Sequence, residues 1–65
     1  MKTLFIVPDV EHNGDIDHFK EVITKAGGTV IETRWSGNEE DDAYIVFECK
    51  DTKHAELIIE KCEKS

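Results

Sequence analysis

The apolar residues of this 65-residue chain fall into five segments, and the spacing within each segment predicts one element of structure. Residues 4–7 form a short, continuously apolar run, which indicates a strand with apolar side chains on both faces. Residues 29–35 alternate and are rich in β-branched side chains, and residues 43–50 (AYIVFECK) form a third predicted strand. Apolar residues recur at three- and four-residue spacing in 15–26 and again in 55–62, which predicts two helices.

Polar residues and glycines mark the predicted boundaries of these elements. Asn13 or Asp15 can cap the first helix, because short polar side chains accept hydrogen bonds from the first backbone N–H groups of a helix. The pair Gly27 and Gly28 ends that helix, since glycine accepts the left-handed conformation found after a helix C-terminus. A polar hairpin loop is predicted at 36–42, and Asp51 can cap the second helix. The predicted order is therefore strand, helix, strand, strand, helix.

This βαββα order restricts the topology to a few arrangements. A right-handed crossover between the first two strands, with the third strand paired between them, gives sheet order 1-3-2 and places both helices on one face. The prediction is an α+β fold: a truncated, ferredoxin-like, three-stranded antiparallel sheet formed by a single domain over residues 1–65. The first strand is then an edge strand, because this fold lacks the fourth strand, which covers the first strand in the complete ferredoxin-like fold.

Five short sequences carry a resemblance to a known family: FIVPD, KAGGTV, RWSG, AYIVFEC and ELIIEKC. In this order they resemble the ferredoxin-like small-subunit ribosomal protein six family over nearly the whole chain. The resemblance implies the fold. That family carries basic residues around its hairpin for ribosomal RNA, whereas residues 38–42 here are Asn-Glu-Glu-Asp-Asp. We therefore do not extend the RNA-binding function of that family to this chain.

The charge balance restricts the class of partner. Fifteen acidic residues against eight basic residues give a net charge of −7, and the basic residues form no cluster. Direct nucleic-acid binding is disfavoured, because it depends on Lys and Arg that displace counterions from phosphates. A basic protein partner is favoured instead. Two scattered cysteines indicate a reduced, cytoplasmic protein, and the apolar run at 4–7 is too short for a signal peptide or a membrane span.

The segment PDVEHNGDIDHFKE, residues 8–21, carries the most candidate chemistry. Its spacing from Asp9 to Asp17 matches the first nine positions of an EF-hand calcium loop, but position twelve is Lys20 instead of a bidentate glutamate. His12 and His18, together with Asp15 or Glu11, could ligate zinc, although no Cys pair or H-x-x-x-H spacing accompanies them. The third reading is a solvated turn that leads into the first helix. We predict no metal centre here, and keep a weak metal-binding loop as the third-ranked alternative.

Catalysis is not indicated by the remaining residues, and no cofactor is predicted. Cys49 and Cys62 fall in phase with apolar neighbours and are predicted core residues, whereas a nucleophilic thiol would need an adjacent base and a cleft. No glycine-rich phosphate loop is present, because the only glycine pair follows a helix. We therefore expect that the protein is not an enzyme.

The topology brings two acidic segments to one end of the sheet. The first strand ends in the segment 8–15 and the second strand ends in the hairpin 36–42, so both should lie at the same end. Trp35 lies beside this end, either as a residue of the core or as a binding residue, since Trp is enriched at binding hot spots. The predicted partner-binding residues are Asp9, Glu11, Trp35, Glu39, Glu40, Asp41 and Asp42, and Asp15 and Asp17 add to the charge.

The face of the sheet away from the helices gives a second candidate surface. Leu4, Ile6, Tyr44 and Val46 should form a contiguous apolar patch there, and monomers seldom leave such a patch exposed. The first strand is also an unpaired edge. We predict a homodimer or a stable complex with another protein.

Two functions follow from these surfaces. The first is a non-catalytic acidic binding module, an inhibitor or adaptor that engages a basic, nucleic-acid-binding type of protein surface. Its size and acidity suit a phage- or plasmid-type mimic of nucleic-acid charge. The alternative is an oligomerising ferredoxin-like structural or regulatory subunit, for which the apolar patch is the site and the acidic residues only confer solubility.

Overall fold

A computed structural model describes all 65 residues of the chain, Met1–Ser65. It contains three strands and two helices in the order βαββα. These are β1 (Lys2–Val10), α1 (Asn13–Lys25), β2 (Thr29–Arg34), β3 (Asp41–Glu48) and α2 (Thr52–Glu63).

The three strands form one antiparallel sheet in the order β1-β3-β2. Phe5 of β1 and Thr33 of β2 both lie opposite Ile45, so β3 is the central strand and pairs along both of its edges. The predicted α+β fold, its strand order and its ferredoxin-like arrangement are confirmed. In this arrangement β1 and β2 each keep one edge without a partner strand.

Both helices pack on the same face of the sheet and share one core with it. Helix α1 contributes Ile16 and Ile23, and α2 contributes Ala55, Ile58 and Cys62. The strands supply side chains from alternate positions, as a half-buried sheet requires. The buried cluster consists of Val7, Val10, Ile16, Ile23, Ala43, Ile45, Phe47, Cys49, Ala55, Ile58 and Cys62.

Both cysteines are buried, as the sequence predicts, and both are free thiols. Burial raises the pKa of the Cys62 thiol, and the neighbouring carboxylate of Glu63 raises it further. A raised pKa keeps a thiol protonated at neutral pH, and the protonated form is a poor nucleophile. Cys62 is therefore a small apolar residue of the core.

Strand β1 extends further than the sequence pattern predicts, whereas β3 has the predicted length but begins at Asp41 and ends at Glu48, two residues earlier at each end than the predicted 43–50. The predicted first strand ends at Val7, but β1 continues through Pro8 and Asp9 to Val10, where the register with β3 shifts. Asp9 has φ 51, and this local bulge returns Val10 to the helix-covered face, where it is fully buried. Alternation alone cannot predict this, because a bulge changes which residues share a face.

The predicted caps of α1 are wrong at one end and confirmed at the other. Neither Asn13 nor Asp15 is the N-cap; the N-cap is His12, whose side chain makes no capping hydrogen bond. At the other end Gly27 adopts φ 92, and the N–H of Gly28 donates to the carbonyl of Ile23 at 2.9 Å. This 6→1 hydrogen bond is that of a Schellman motif, which ends the helix as the glycine pair predicts.

Helix α2 begins at the predicted cap, and a histidine next to that cap joins the two helices. The Asp51 carboxylate accepts a hydrogen bond from the backbone N–H of His54 at 2.8 Å. The His54 ring accepts from the N–H of Lys50 through Nδ1 at 3.0 Å, so Nε2 carries the proton and donates to the carbonyl of Ala26 at 2.9 Å. His54 thus fixes the C-terminus of α1 against the N-terminus of α2.

We expect His54→Ala to lower the free energy of unfolding by about 2 kcal/mol. The substitution leaves the partly buried Ala26 carbonyl and the Lys50 N–H without their partner, and an unsatisfied polar group costs about 1–3 kcal/mol. Urea unfolding followed by circular dichroism measures the change. His12→Ala is the matched control, because its exposed ring bridges no two elements, and it should alter stability by less than about 0.5 kcal/mol. Equal losses in the two variants would contradict the bridging role.

Candidate functional site

The two acidic segments lie together at one end of the sheet. Val10 at the end of β1 lies opposite Asp41 at the start of β3, and the N–H of Glu40 donates to the carbonyl of Val10 at 3.0 Å. A second link joins them, because the backbone N–H of Asp9 donates to the Asp42 carboxylate at 3.3 Å. We call this end the acidic pole and define it by Asp9, Glu11, Glu39, Glu40, Asp41 and Asp42.

Two of these acids have a different local structure from the predicted one. Asp41 and Asp42 are the first residues of β3, whereas the pattern placed them in a hairpin loop. Asp41 is held in place by Ser36, whose hydroxyl donates to its carboxylate at 2.7 Å. Asp41 pairs with Val10, whereas Asp42 lies opposite the bulge of β1, where its carboxylate accepts the hydrogen bond from Asp9. Both charges are therefore presented from the start of a strand and not from a loop.

None of the six carboxylates of the acidic pole has an intramolecular cationic partner. The six ion pairs of the molecule involve other acids: Glu48, Asp15, Asp17, Glu21, Glu32 and Glu60. Arg34 is near the pole, but its Nε lies 3.0 Å from the Glu32 carboxylate. The pole therefore carries six uncompensated negative charges, and like charges held together destabilise the compact state.

Asp15 has a structural role that separates it from the pole. The N–H of Glu11 donates to its carboxylate at 3.0 Å, and this hydrogen bond is the main cause that lowers the pKa of Asp15 below its ordinary value of 3.8. Burial is the next largest cause and raises the pKa, whereas the N–H of His12 and the rings of His12 and His18 lower it further. Asp15 lies in the first turn of α1, where a negative charge also favours the helix dipole.

Glu40 adopts φ 71, a backbone conformation that costs a non-glycine residue about 1–2 kcal/mol. We expect Glu40→Gly to raise the free energy of unfolding by about 1 kcal/mol, because glycine adopts this conformation without a Cβ clash and one repelling charge is removed. Thermal unfolding measures the gain. Glu39→Gly removes the same charge from the adjacent residue, which has no positive φ, and should give no comparable gain. A loss of stability in Glu40→Gly would contradict the assigned strain.

An open depression lies beside the acidic pole, between the end of β2 and the start of β3. Its volume is about 740 Å³, and it is lined by Thr33, Arg34, Trp35, Ser36, Asp41, Asp42 and Tyr44. Two aromatic rings and two carboxylates thus border the same space. Aromatic faces and carboxylates both attract the cationic head of Lys or Arg.

Trp35 packs against the core and also lines this depression, so the core alternative is confirmed and the partner-binding alternative stays a prediction. Its partly buried ring packs against the hydrophobic core. The indole Nε1 is buried and has no hydrogen-bond acceptor. The sequence gives no signal for this unsatisfied donor, because it depends on which groups surround the ring.

The predicted apolar patch is present on the face of the sheet away from the helices. Leu4 lies opposite Val46 and Ile6 lies opposite Tyr44, so the four side chains form two adjacent cross-strand pairs. Leu4 and Ile6 are each 48% exposed and Tyr44 is 46% exposed, whereas Val46 is half-buried and less exposed than predicted. We call these four residues the open-face patch. Ile31, at the irregularity of β2, is a further exposed apolar residue that the sequence pattern did not single out.

The segment 9–17 does not form a continuous loop. Asp9 and Val10 belong to β1, and the chain is helical from Asn13 onwards, so the candidate oxygen ligands are divided between a strand and a helix. No group of three His, Cys, Asp or Glu side chains is placed to hold a metal ion. The match to a calcium loop therefore does not correspond to a continuous loop in the structure, and the weak metal-binding alternative stays a prediction.

Comparison of the chain with protein-family models, with curated proteins and with solved structures gives no match. The resemblance to the small-subunit ribosomal protein six family stays a prediction. Neither of the two helices is long and apolar enough to cross a membrane. The candidate functional surfaces of the molecule are therefore the acidic pole, the depression beside it and the open-face patch.

Proposed function

We propose that the chain is a cytoplasmic, non-catalytic binding module whose acidic pole engages a basic surface on another protein. The observation that carries the proposal is that all six carboxylates of the pole lack a cationic partner within the molecule. A basic partner would supply the missing charges and remove the repulsion between the acids. Such a module acts as an inhibitor or an adaptor by covering the basic surface, including a surface that otherwise contacts nucleic acid.

The depression beside the pole supports a specific mode of contact. Asp41 and Asp42 border it on one side, and Trp35 and Tyr44 contribute aromatic surface to the same space. An Arg or Lys side chain of the partner can enter there, pair with a carboxylate and lie against a ring. Long-range attraction by the pole accelerates association, and the contact in the depression then slows dissociation.

The salt dependence of binding tests the proposal. The tagged protein is incubated with cell lysate at about 50 mM and about 500 mM salt, where the Debye length falls from about 14 Å to about 4 Å. We expect basic proteins to be retained at low salt and released at high salt. Retention that is insensitive to salt, or retention of mainly acidic proteins, would contradict the proposal.

Nuclear magnetic resonance then locates the contact on this chain. Titration with a retained protein should shift the amide signals of the acidic pole and the indole N–H signal of Trp35. Trp35→Phe keeps most of the packing and removes the unsatisfied N–H, so it should leave stability unchanged or higher. Shifts confined to the open-face patch would instead favour the second candidate function.

That second candidate is a structural or regulatory subunit that associates through the open-face patch. It is favoured by the exposure of Leu4, Ile6 and Tyr44, each close to one half. A 65-residue chain also buries only about 60% of the surface that its unfolded form exposes, so association would add to a small core. In this case amide substitutions at the acidic pole would leave the function intact.

A further inference from the structure

The free edge of β1 presents backbone hydrogen-bonding groups to solvent. The N–H of Cys49 donates to the carbonyl of Met1 at 2.8 Å, and the register from Lys2 to Val7 is regular. In an antiparallel pair, alternate residues direct both backbone groups toward the same neighbour. Residues 1, 3, 5 and 7 therefore bond to β3, and the N–H and C=O groups of Lys2, Leu4 and Ile6 point away from the sheet.

A groove follows this edge on the side of the helices. It has a volume of about 310 Å³ and is lined by Phe5, Ile6, Pro8, Phe19, Cys62, Glu63 and Ser65. The ring centroids of Phe5 and Phe19 are 5.3 Å apart, and both rings are only partly buried. The edge is therefore bordered by apolar surface on both faces: the Phe5–Phe19 pair on one face, and Leu4 and Ile6 on the other.

Opposite charges lie at the two ends of the same strand. Lys2 is the first residue of β1, and Asp9 is the residue before its last, Val10. Neither side chain has an ion-pair partner within the molecule. A strand with a base at one end and an acid at the other is complementary to an antiparallel copy of itself.

We propose that two copies of the chain pair along β1, antiparallel and related by a two-fold axis at Phe5, to form a six-stranded sheet. Leu4 of one copy then lies opposite Ile6 of the other, and Lys2 lies opposite Pro8 and next to Asp9. The outward backbone N–H and C=O groups of Leu4 in each copy exchange two hydrogen bonds with those of Ile6 in the other, which gives four in total. Each Lys2 N–H can also donate to the Pro8 carbonyl of the other copy. Proline lacks an N–H and is tolerated at the end of such an edge.

The charges and the faces of the strand select this register over its neighbours. Residues opposite each other must point to the same face, so the two-fold axis must pass through a residue. An axis at Leu4 would place the Lys2 ammonium against Ile6, in the open-face patch. An axis at Ile6 would place Leu4 against Pro8 and Lys2 against Val10. Only the axis at Phe5 places apolar side chains of one copy opposite apolar side chains of the other and also brings Lys2 near Asp9.

This pairing is independent of the proposed function and compatible with it. Because the strands run in opposite directions, the two acidic poles lie at opposite ends of the dimer, which limits repulsion between them. Asp9 is the one carboxylate of the acidic pole that contacts the other copy. The other five carboxylates stay free to bind a partner: Glu11, Glu39, Glu40, Asp41 and Asp42. The edges left outside belong to β2, whose Glu32 and Arg34 place charges there, and charged edges resist further strand addition.

A scan of single cysteines across the edge tests the register. We expect Phe5→Cys to form an intermolecular disulfide under mild oxidation, since residues opposite their own copy in a non-hydrogen-bonded pair have Cα atoms about 4.5 Å apart. Leu4→Cys and Ile6→Cys are matched controls: two residues of offset place each about 8 Å from its copy, beyond disulfide reach. The unmodified chain, whose own cysteines are buried, gives the background.

Sedimentation of the unmodified chain decides whether the dimer exists. A single monomeric species at about 100 µM, or a disulfide that forms best at Leu4→Cys or Ile6→Cys, would overturn the proposal. A monomer that instead acquires an extended segment of another protein would show that β1 pairs with a different occupant, and this also overturns it.

Charge exchange tests the pairing without altering Phe5. Lys2→Glu and Asp9→Lys should each weaken the dimer about tenfold or more, because each places like charges together at both ends of the paired strands. The double variant restores opposite charges and should recover most of the lost affinity. Urea unfolding of each variant shows whether its monomer stays folded. Failure of the double variant to recover while its monomer is folded would overturn the proposed register.

Discussion

Replacing the four acids at 39–42 with their amides should weaken binding to the basic partner about 30-fold. Each exposed charge pair contributes about 0.5 kcal/mol to the free energy of binding, so four pairs contribute about 2 kcal/mol. A loss of about 1.4 kcal/mol raises the dissociation constant about tenfold. The amides keep the shape of the side chains, and Asn at position 42 can still accept from the Asp9 N–H. The fold should therefore persist, and isothermal calorimetry with a protein retained from lysate measures the loss.

The matched control removes the same number of charges from the helices. Glu21, Glu56, Glu60 and Glu63 are exposed residues of α1 and α2 and lie outside the acidic pole. Their replacement by Gln removes the same four negative charges and should change affinity by less than about threefold. Equal losses in the two variants would show that the partner responds to net charge alone, and would contradict a defined site at the pole.

Phe47→Ala should leave the chain largely unfolded at room temperature. Phe47 is fully buried in the centre of the shared core, and truncating a buried Phe costs about 3–5 kcal/mol. Native stability is about 0.05–0.15 kcal/mol per residue, which amounts to about 3–10 kcal/mol for a chain of this length. The loss is therefore comparable to the whole stability, and circular dichroism with urea unfolding should show a weak transition or none.

Tyr44→Ala on the same strand is the control. Tyr44 belongs to the open-face patch and is 46% exposed, so its truncation should cost about 1 kcal/mol or less and leave a folded protein. Comparable destabilisation by both substitutions would mean that both faces of β3 are covered in solution. That result would favour burial of the open-face patch in a complex over an exposed patch.

The elements and their order could be predicted from local patterns. The helical spacing that includes Ile16 and Ile23 requires one buried stripe, and the glycine pair at 27–28 allows the chain to reverse without strain. When a helix joins β1 to β2 by a right-handed crossover and β3 pairs between these two strands, the strand order is 1-3-2. The juxtaposition of Asp9 with Asp42 follows from this order, because both strand ends must then lie at the same end of the sheet.

Other features of the site could not be predicted, because they depend on groups that are distant in sequence. The bulge at Asp9 places Val10 in the core only because β3 offers it a partner at Asp41. The bridging role of His54 requires the Ala26 carbonyl, twenty-eight residues earlier, to lie 2.9 Å from its ring. The absence of cationic partners at the acidic pole is also a tertiary property, since it depends on where Arg34 and the lysines come to lie.

Local patterns in the amino-acid sequence are enough to predict the five elements, their pairing order and the sign of the charge at the acidic pole. These depend on periodicity, glycine conformation and composition, which act over a few residues. Three properties depend instead on the folded arrangement: which carboxylates stay unpaired, how Trp35 is shared between the core and the depression, and which backbone groups of β1 face outward. Those properties arise from contacts between segments far apart in the chain, and their energies exist only when the folded sheet brings the segments together.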